Sequence, residues 1–221
     1  MYTRLFVTGT DTEVGKTVVT RGLLQTLAAN GKQVVGYKPV AKGSQKTEEG
    51  PRNKDALILQ AASSLQLPYQ VINPVTLLDD EISTSPQVFS YTTLSDGLHR
   101  LKQQAEYVIT EGTGGWRSLM SDQRPLSDWV VQEQMPVIMV VGIKQGCISH
   151  ALLTAQAIQH DGLPLVGWVA NRINPGLAHY AEIITVLQDN IAAPLLGELP
   201  YLPKAETRDL SRYFNLSALN L

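Results

Sequence analysis

The chain has 221 residues, 43% of them hydrophobic, and its 18 Lys and Arg against 20 Asp and Glu give a formal net charge of −2. That length fits one α/β domain with a substantial core, and the near-neutral balance leaves no basic footprint for nucleic acid. Cys147 is the single cysteine, which excludes an internal disulfide framework and points to a reducing compartment.

The opening "MYTRLFVTG" holds too short an apolar stretch for a secretory signal. The longest apolar run, "MPVIMVVGI", is about half of the ~20 residues that span a bilayer. A soluble, cytoplasmic protein with no membrane partner is expected. In chain order, "RLFVTG", "QVVGYK", "EYVITEG", "PVIMVVG", "LVGWVAN" and "PLLGEL" read as strands, several of them apolar on both faces. Between them, residues 16–30, 54–64, 94–105, 126–134, 148–160 and 178–190 read as helices. This alternation predicts a single α/β domain over 1–221, a mostly parallel sheet with helices on both faces. Residues 73–93, rich in Pro, Ser and Thr, show weak periodicity and support no firm assignment. Ligands in such folds gather beyond the carboxyl ends of the strands.

One stretch carries explicit chemistry. "GTDTEVGKT" (Gly9 to Thr17) follows the first strand and opens the first helix. Its tail, Gly15-Lys16-Thr17, matches the end of the phosphate-binding pattern G-x-x-x-x-G-K-[ST], although five residues rather than four separate Gly9 from Gly15. Free N–H groups and the dipole at a helix start favour phosphate. Lys16 would reach the terminal phosphates of ATP, and the Thr17 hydroxyl would sit on Mg²⁺. The bland alternative is a glycine turn before a helix-opening threonine, but the strand-loop-helix setting is the one the motif requires. ATPases that partition plasmids or place division sites carry an extra lysine near the front of this loop; Thr10, Asp11 and Thr12 stand there instead.

The stretch "FVTGTDTEVGKT" resembles the opening of dethiobiotin synthetases. The likeness continues in order through "GYKPVAKGS", "RNKDAL", "VITEGTGGW", "VVGIKQGCISHALLT" and "GWVANRINP". It covers nearly the whole chain, and it points within the family to a second, paralogous form. The resemblance implies a P-loop enzyme that uses ATP and Mg²⁺ to join CO₂ to the adjacent amines of 7,8-diaminononanoate, closing the cyclic urea of dethiobiotin. It implies a homodimer with shared active sites.

The residues implied can be weighed one by one. Lys38 ends the second strand, and Pro39 after it biases its backbone to an extended form; by resemblance it is a catalytic lysine beside Lys16 and Thr12. A solvated lysine at a strand end is the alternative. Asp55 and Glu111 are metal candidates with Thr17, since Mg²⁺ prefers carboxylate oxygen beside phosphate and water; for Asp55 an ordinary first-turn charge is the competing reading. By resemblance Glu13, Val14, Gly15, Val18, Gly112, Thr113 and Gly114 surround the nucleotide. Asn171 and Arg172, with Pro200, Tyr201, Leu202 and Glu206, lie toward its base. The helix start at Gly146, Cys147, Ile148, Ser149 and His150 resembles a pocket for the substrate carboxylate across the dimer interface. Cys147 reads as a packed side chain rather than a nucleophile, and His99, His160 and His179 as surface.

One departure stands out. Lys42 follows "KPVA" where the family has a small hydroxyl residue; it would repel a protonated amine, hold a carboxylate or carbamate, or turn to solvent with Ser44 serving instead. Two other classes stay open: an ATP-dependent ligase acting on another amine or carboxylate, and a non-catalytic nucleotide switch.

Overall fold

A computed structural model describes residues 2–78 and 90–219. The apolar runs of the main sheet become strands and the segments between them become helices, with short extra strands after the second run. The elements are β1 (Arg4–Gly9), α1 (Lys16–Ala29), β2 (Val34–Tyr37), β3 (Val40–Ala41), β4 (Gln45–Thr47), β5 (Gly50–Arg52), α2 (Lys54–Ala62), α3 (Tyr69–Ile72) and β6 (Val75–Thr76). Then come α4 (Tyr91–Gln104), β7 (Tyr107–Gly115), α5 (Leu126–Gln132), β8 (Val137–Gly142), α6 (Cys147–His160), β9 (Leu165–Asn171), α7 (Tyr180–Asn190) and β10 (Leu195–Leu199). Short 3₁₀ turns follow at Ala205–Thr207, Ser211–Tyr213 and Ser217–Leu219. Of the stretch 73–93, residues 79–89 lie outside the described residues.

The main sheet has the order β10-β9-β8-β1-β7-β2, and every neighbouring pair is parallel. Helices cover both faces, as neighbours on β2 show. A Cβ on Gly36 would meet Leu24 of α1 and Leu59 of α2, whereas the next residue, Tyr37, donates its hydroxyl to Leu94 O of α4 at 2.9 Å. Successive strand residues face opposite ways, so α1 and α2 lie on one face and α4 on the other. Burial on both faces explains the continuous apolar strands: all six residues of β8 are buried. On α1, Val19, Leu23, Leu24 and Leu27 are at most 2% exposed; each buried side chain of this size contributes ~1.5–3 kcal/mol.

The parallel order sets the site. β1 is central, and β7 lies between it and β2. The Gly9 loop after β1, Glu111 within β7 and Lys38 just after β2 therefore stand side by side. β7 runs further than its apolar stretch: it continues through "GTGG" to Gly115, which pairs with Gly9. Two small pieces have no signature in the sequence, the antiparallel hairpin β4–β5 and the two-residue ladder β3–β6. Among the described residues no helix is long and apolar enough to cross a membrane.

Candidate active site

The loop between β1 and α1 turns on two left-handed residues, Glu13 (φ 55°) and Gly15 (φ 88°). Gly15 is the N-cap of α1 and offers no side-chain cap, so the free N–H groups of the first turn stay available to an anion. By contrast, Asn53 caps α2 and Ser90 caps α4 through their side chains. Val14 is wholly buried, and Asn171 at the end of β9 donates Nδ2 to its carbonyl at 2.9 Å. A Cβ on Gly15 would lie 2.1 Å from that same amide nitrogen. Both the backbone angle and the contact therefore require glycine.

Behind the loop is a row of alternating charge, buried except at Asp55. Lys16 folds back to donate to Asp11 O at 3.0 Å. Thr17 donates its hydroxyl to Glu111 Oε1 at 2.8 Å. The same oxygen accepts from Lys38 Nζ at 2.6 Å, and Lys38 also donates to Gly112 O at 2.9 Å. Asp55 completes the group, with Oδ2 3.6 Å from Lys38 Nζ. Glu111 is fully buried and Lys38 is 3% exposed. The environment separates the two lysines. Burial, seconded by the Lys38 charge, pulls Lys16 down to about 8, against a partial offset from Glu111, Asp55 and Asp11. For Lys38, burial opposes the charge, but the Glu111 and Asp55 carboxylates outweigh it and hold the ammonium above the ordinary lysine range. The expected strand-end lysine is thus a buried cation.

A cleft of about 310 Å³ opens onto this row, lined by Glu13, Gly15, Lys16, Thr17, Val18, Asp55 and Glu206 together with Arg21, Lys54 and Ile58. Thr12 is exposed at the loop tip, its Cγ2 4.0 Å from where a Cβ on Gly114 would stand. Thr113 is buried in β7. The remaining expected residues stand apart from the cleft lining. Asn171 spends an amide hydrogen on the loop itself. Arg172 stacks over the Tyr180 ring at 4.5 Å and donates to Pro175 O at 3.0 Å. Pro200 and Tyr201 are exposed and Leu202 is half-buried.

Lys42 neither reaches into the cleft nor swings into bulk solvent. Its Nζ donates to Leu119 O at 2.8 Å and lies 3.5 Å from Ser118 Oγ, while Ser44 is buried. The start of α6 repeats the geometry of α1: Gly146 is left-handed (φ 82°) with no side-chain cap. There Cys147 is buried, Ile148 half-buried, and Ser149 and His150 exposed. Lys144, just before this turn, pairs with Asp11 Oδ2 at 2.8 Å and holds that carboxyl below the usual carboxylate range. No sequence pattern announced this link, whose partners lie 133 residues apart.

The donors present bear directly on whether Mg²⁺ fits. Among the described residues Glu111 Oε2 is buried with no hydrogen-bond partner, while Oε1 accepts from Thr17 and Lys38 and Asp55 pairs with the same lysine. Among the described residues no group of three or more His, Cys, Asp or Glu could hold a metal. An ion that keeps water and phosphate ligands needs only one or two carboxylates, so this donor set fits Mg²⁺.

Comparison with known proteins agrees with this layout. Residues 3–208 match the AAA domain family. The ParA family ATPase from Chlorobium tepidum TLS superposes with a TM-score of 0.59 over 99% of this chain and 100% of that one, at 14% identity. The MinC:MinD cell division protein complex of Aquifex aeolicus gives 0.61 over 95% and 85%, at 16% identity. These share the fold. Sequence likeness is far stronger elsewhere. ATP-dependent dethiobiotin synthetase BioD 2 of Salmonella typhimurium is 66% identical over 99% of this chain and 95% of its own length. The protein of that name from Escherichia coli K12 is 64% identical over the same shares, and that from Yersinia pestis 62% identical over the whole of both chains. The chain belongs to the ATP-dependent dethiobiotin synthetase family.

Proposed function

We propose that this protein is an ATP-dependent cyclo-ligase that carboxylates 7,8-diaminononanoate and closes the cyclic urea of dethiobiotin, in the cytoplasm, as a homodimer. The observation that carries this reading is the sharing of Glu111 Oε1 by Lys38 and Thr17 beneath the loop that holds Lys16. A switch needs the loop and the metal position; a second buried cation beside them is a device for chemistry on an anion.

One amine takes up CO₂ as a carbamate. A carbamate oxygen attacks the γ-phosphorus and ADP leaves. The second amine then attacks the carbonyl carbon of the mixed anhydride, and phosphate leaves as the ring closes. The chain positions reactants and offsets charge, the main tasks in phosphoryl transfer. Lys16 and the N–H groups of α1 hold the phosphates. Thr17, Glu111 and Asp55 would hold Mg²⁺, which supplies charge neutralisation on the phosphates when bound. Lys38, kept cationic by its two acids, faces the carbamate and the charge that develops as it attacks. Thr12 at the loop tip faces the nucleotide or the diamine, and Gly114 beside it borders the nucleotide. Asn171, Arg172, Pro200, Tyr201, Leu202 and Glu206 border the nucleoside end. The start of α6, Gly146 to His150, receives the substrate carboxylate for a neighbouring subunit. Lys42, tied to Leu119 O, borders the diamine site without entering it.

The test is ADP release by purified protein with a panel of diamines, with and without bicarbonate. Release that needs both 7,8-diaminononanoate and bicarbonate supports the reading. Release driven by another amine would assign a related ligase, and nucleotide binding with no diamine-dependent release would assign a switch.

A further inference from the structure

The C-terminal segment lies along one stripe of α1, four residues beyond the phosphate-binding turn. Arg21 Nη1 donates to Ala205 O at 3.3 Å and also to Arg208 O. Gln25 works from the next turn, donating Nε2 to Arg208 O at 3.4 Å and accepting from Leu210 N at 3.0 Å. Phe214 closes the seam against Gly22, where a Cβ would meet its ring at 2.2 Å. The two carbonyls that Arg21 grips bracket Glu206, and Glu206 lines the cleft together with Lys16 and Thr17. From the opposite wall Lys54 reaches it, Nζ to Oε1 3.9 Å. Lys204, just before the 3₁₀ turn, is held left-handed at φ 55°, a form that a non-glycine residue keeps only when neighbours fix it.

We propose that Arg21 is a nucleotide-positioning residue: its guanidinium Nη1, reaching out from the phosphate-binding helix, fixes residues 205–208 so that Glu206 forms the outer wall of the ATP cleft. This rests on the reading of the cleft as an ATP site. Because α1 carries both the phosphate contacts and the clamp, the distance from phosphate to outer wall is set within one rigid helix. The clamp acts on the nucleoside end and leaves the phosphates alone. A lysine keeps the charge but lacks the fixed planar geometry that sets a single Nη1 between both carbonyls.

The experiment titrates ATP and inorganic tripolyphosphate, each with Mg²⁺, into wild type, Arg21→Ala, Arg21→Lys, Glu206→Ala and the Arg21→Ala/Glu206→Ala double variant. The expected result is ATP affinity weakened about tenfold in Arg21→Ala and about threefold in Arg21→Lys, tripolyphosphate within twofold throughout, and a double variant no worse than the weaker single. Equal weakening of ATP and tripolyphosphate, unchanged ATP affinity in both Arg21 variants, or additive effects in the double variant would each overturn the proposal. Should Arg21→Ala fail to fold, Arg21→Lys decides. These titrations need no diamine, so absence of diamine-dependent ADP release in wild type would count against the ligase reading and not against the clamp.

Discussion

Among the described residues, two helices begin behind a left-handed glycine with no side-chain cap, α1 at Gly15 and α6 at Gly146, and their surroundings are opposite. Around Gly15 the space is filled: Lys16 is 8% exposed, and Lys38 and Glu111 interlock behind it. Around Gly146 a Cβ would meet nothing within 4 Å, and Ser149 and His150 stand exposed. The same backbone device can thus be finished inside one chain or left open. In the proposed enzyme the phosphate end of the reaction is completed by the chain itself, and the carboxylate end awaits a second copy.

The filled side should fail most severely. Lys16→Ala is expected to lower kcat/KM for ATP by about 10³, and Thr17→Val by somewhat less; steady-state ADP release checks both, and wild-type turnover in Lys16→Ala would remove the loop from the chemistry. Lys38→Ala should lose about 10²-fold in kcat with ATP affinity within about threefold, since its charge is proposed to act on the carbamate and transition state. It also strands a buried carboxylate, so thermal melts should show a loss of ~3–5 kcal/mol. An equal loss in ATP binding would make Lys38 a phosphate ligand instead.

The open side is probed by mixing subunits. Ser149→Glu puts a negative charge where a carboxylate is to bind, and Lys38→Ala disables the other half. Each variant alone should be nearly inactive, while an equilibrated equal mixture should recover about a quarter of wild-type activity, because half the dimers then carry one intact shared site. No recovery would place both ends of the site on one chain.

A pH titration tests the filled side more gently. Lys16 sits at about 8 in the free protein, and bound phosphate favours its charged form. Above that pH, ATP binding should therefore take up a proton, and affinity should fall about fivefold between pH 8 and 9. Calorimetry in buffers of different ionisation enthalpy would show the uptake, and Lys16→Arg should abolish it. The smallest effect belongs to Lys42→Ser. With its ammonium on Leu119 O, this change should leave diamine-dependent activity within about twofold and cost about 1 kcal/mol of stability. A tenfold gain with 7,8-diaminononanoate would show instead that the lysine repels the amine.

How much of this was readable beforehand follows from distance along the chain. The loop at Gly9 to Thr17 is contiguous, so its spacing and its place between strand and helix are visible in sequence. The six main strands are short apolar runs, several of them apolar on both faces, and stand out for the same reason. Elements of two or three residues, such as β3 and β5, are too short for any period. The extension of β7 through "GTGG" was hidden because glycines read as loop, and only the neighbouring Gly9 pairs them. Site residues split the same way. Lys16 and Thr17 announce themselves, whereas Asp11–Lys144 and Arg21–Arg208 join residues 133 and 187 apart. Family likeness supplied Lys38 and Glu111 as candidates, but not that one carboxylate oxygen serves both Lys38 and Thr17.

The contact between Gly15 and Asn171 has a consequence for redesign. One amide both supports the Val14 carbonyl and fills the room a side chain at position 15 would need. On the proposed reading, in which Asn171 also borders the base, an exchange there aimed at base selectivity will retune the grip on phosphate as well. Base selectivity and triphosphate affinity would then be wired in series through a single side chain.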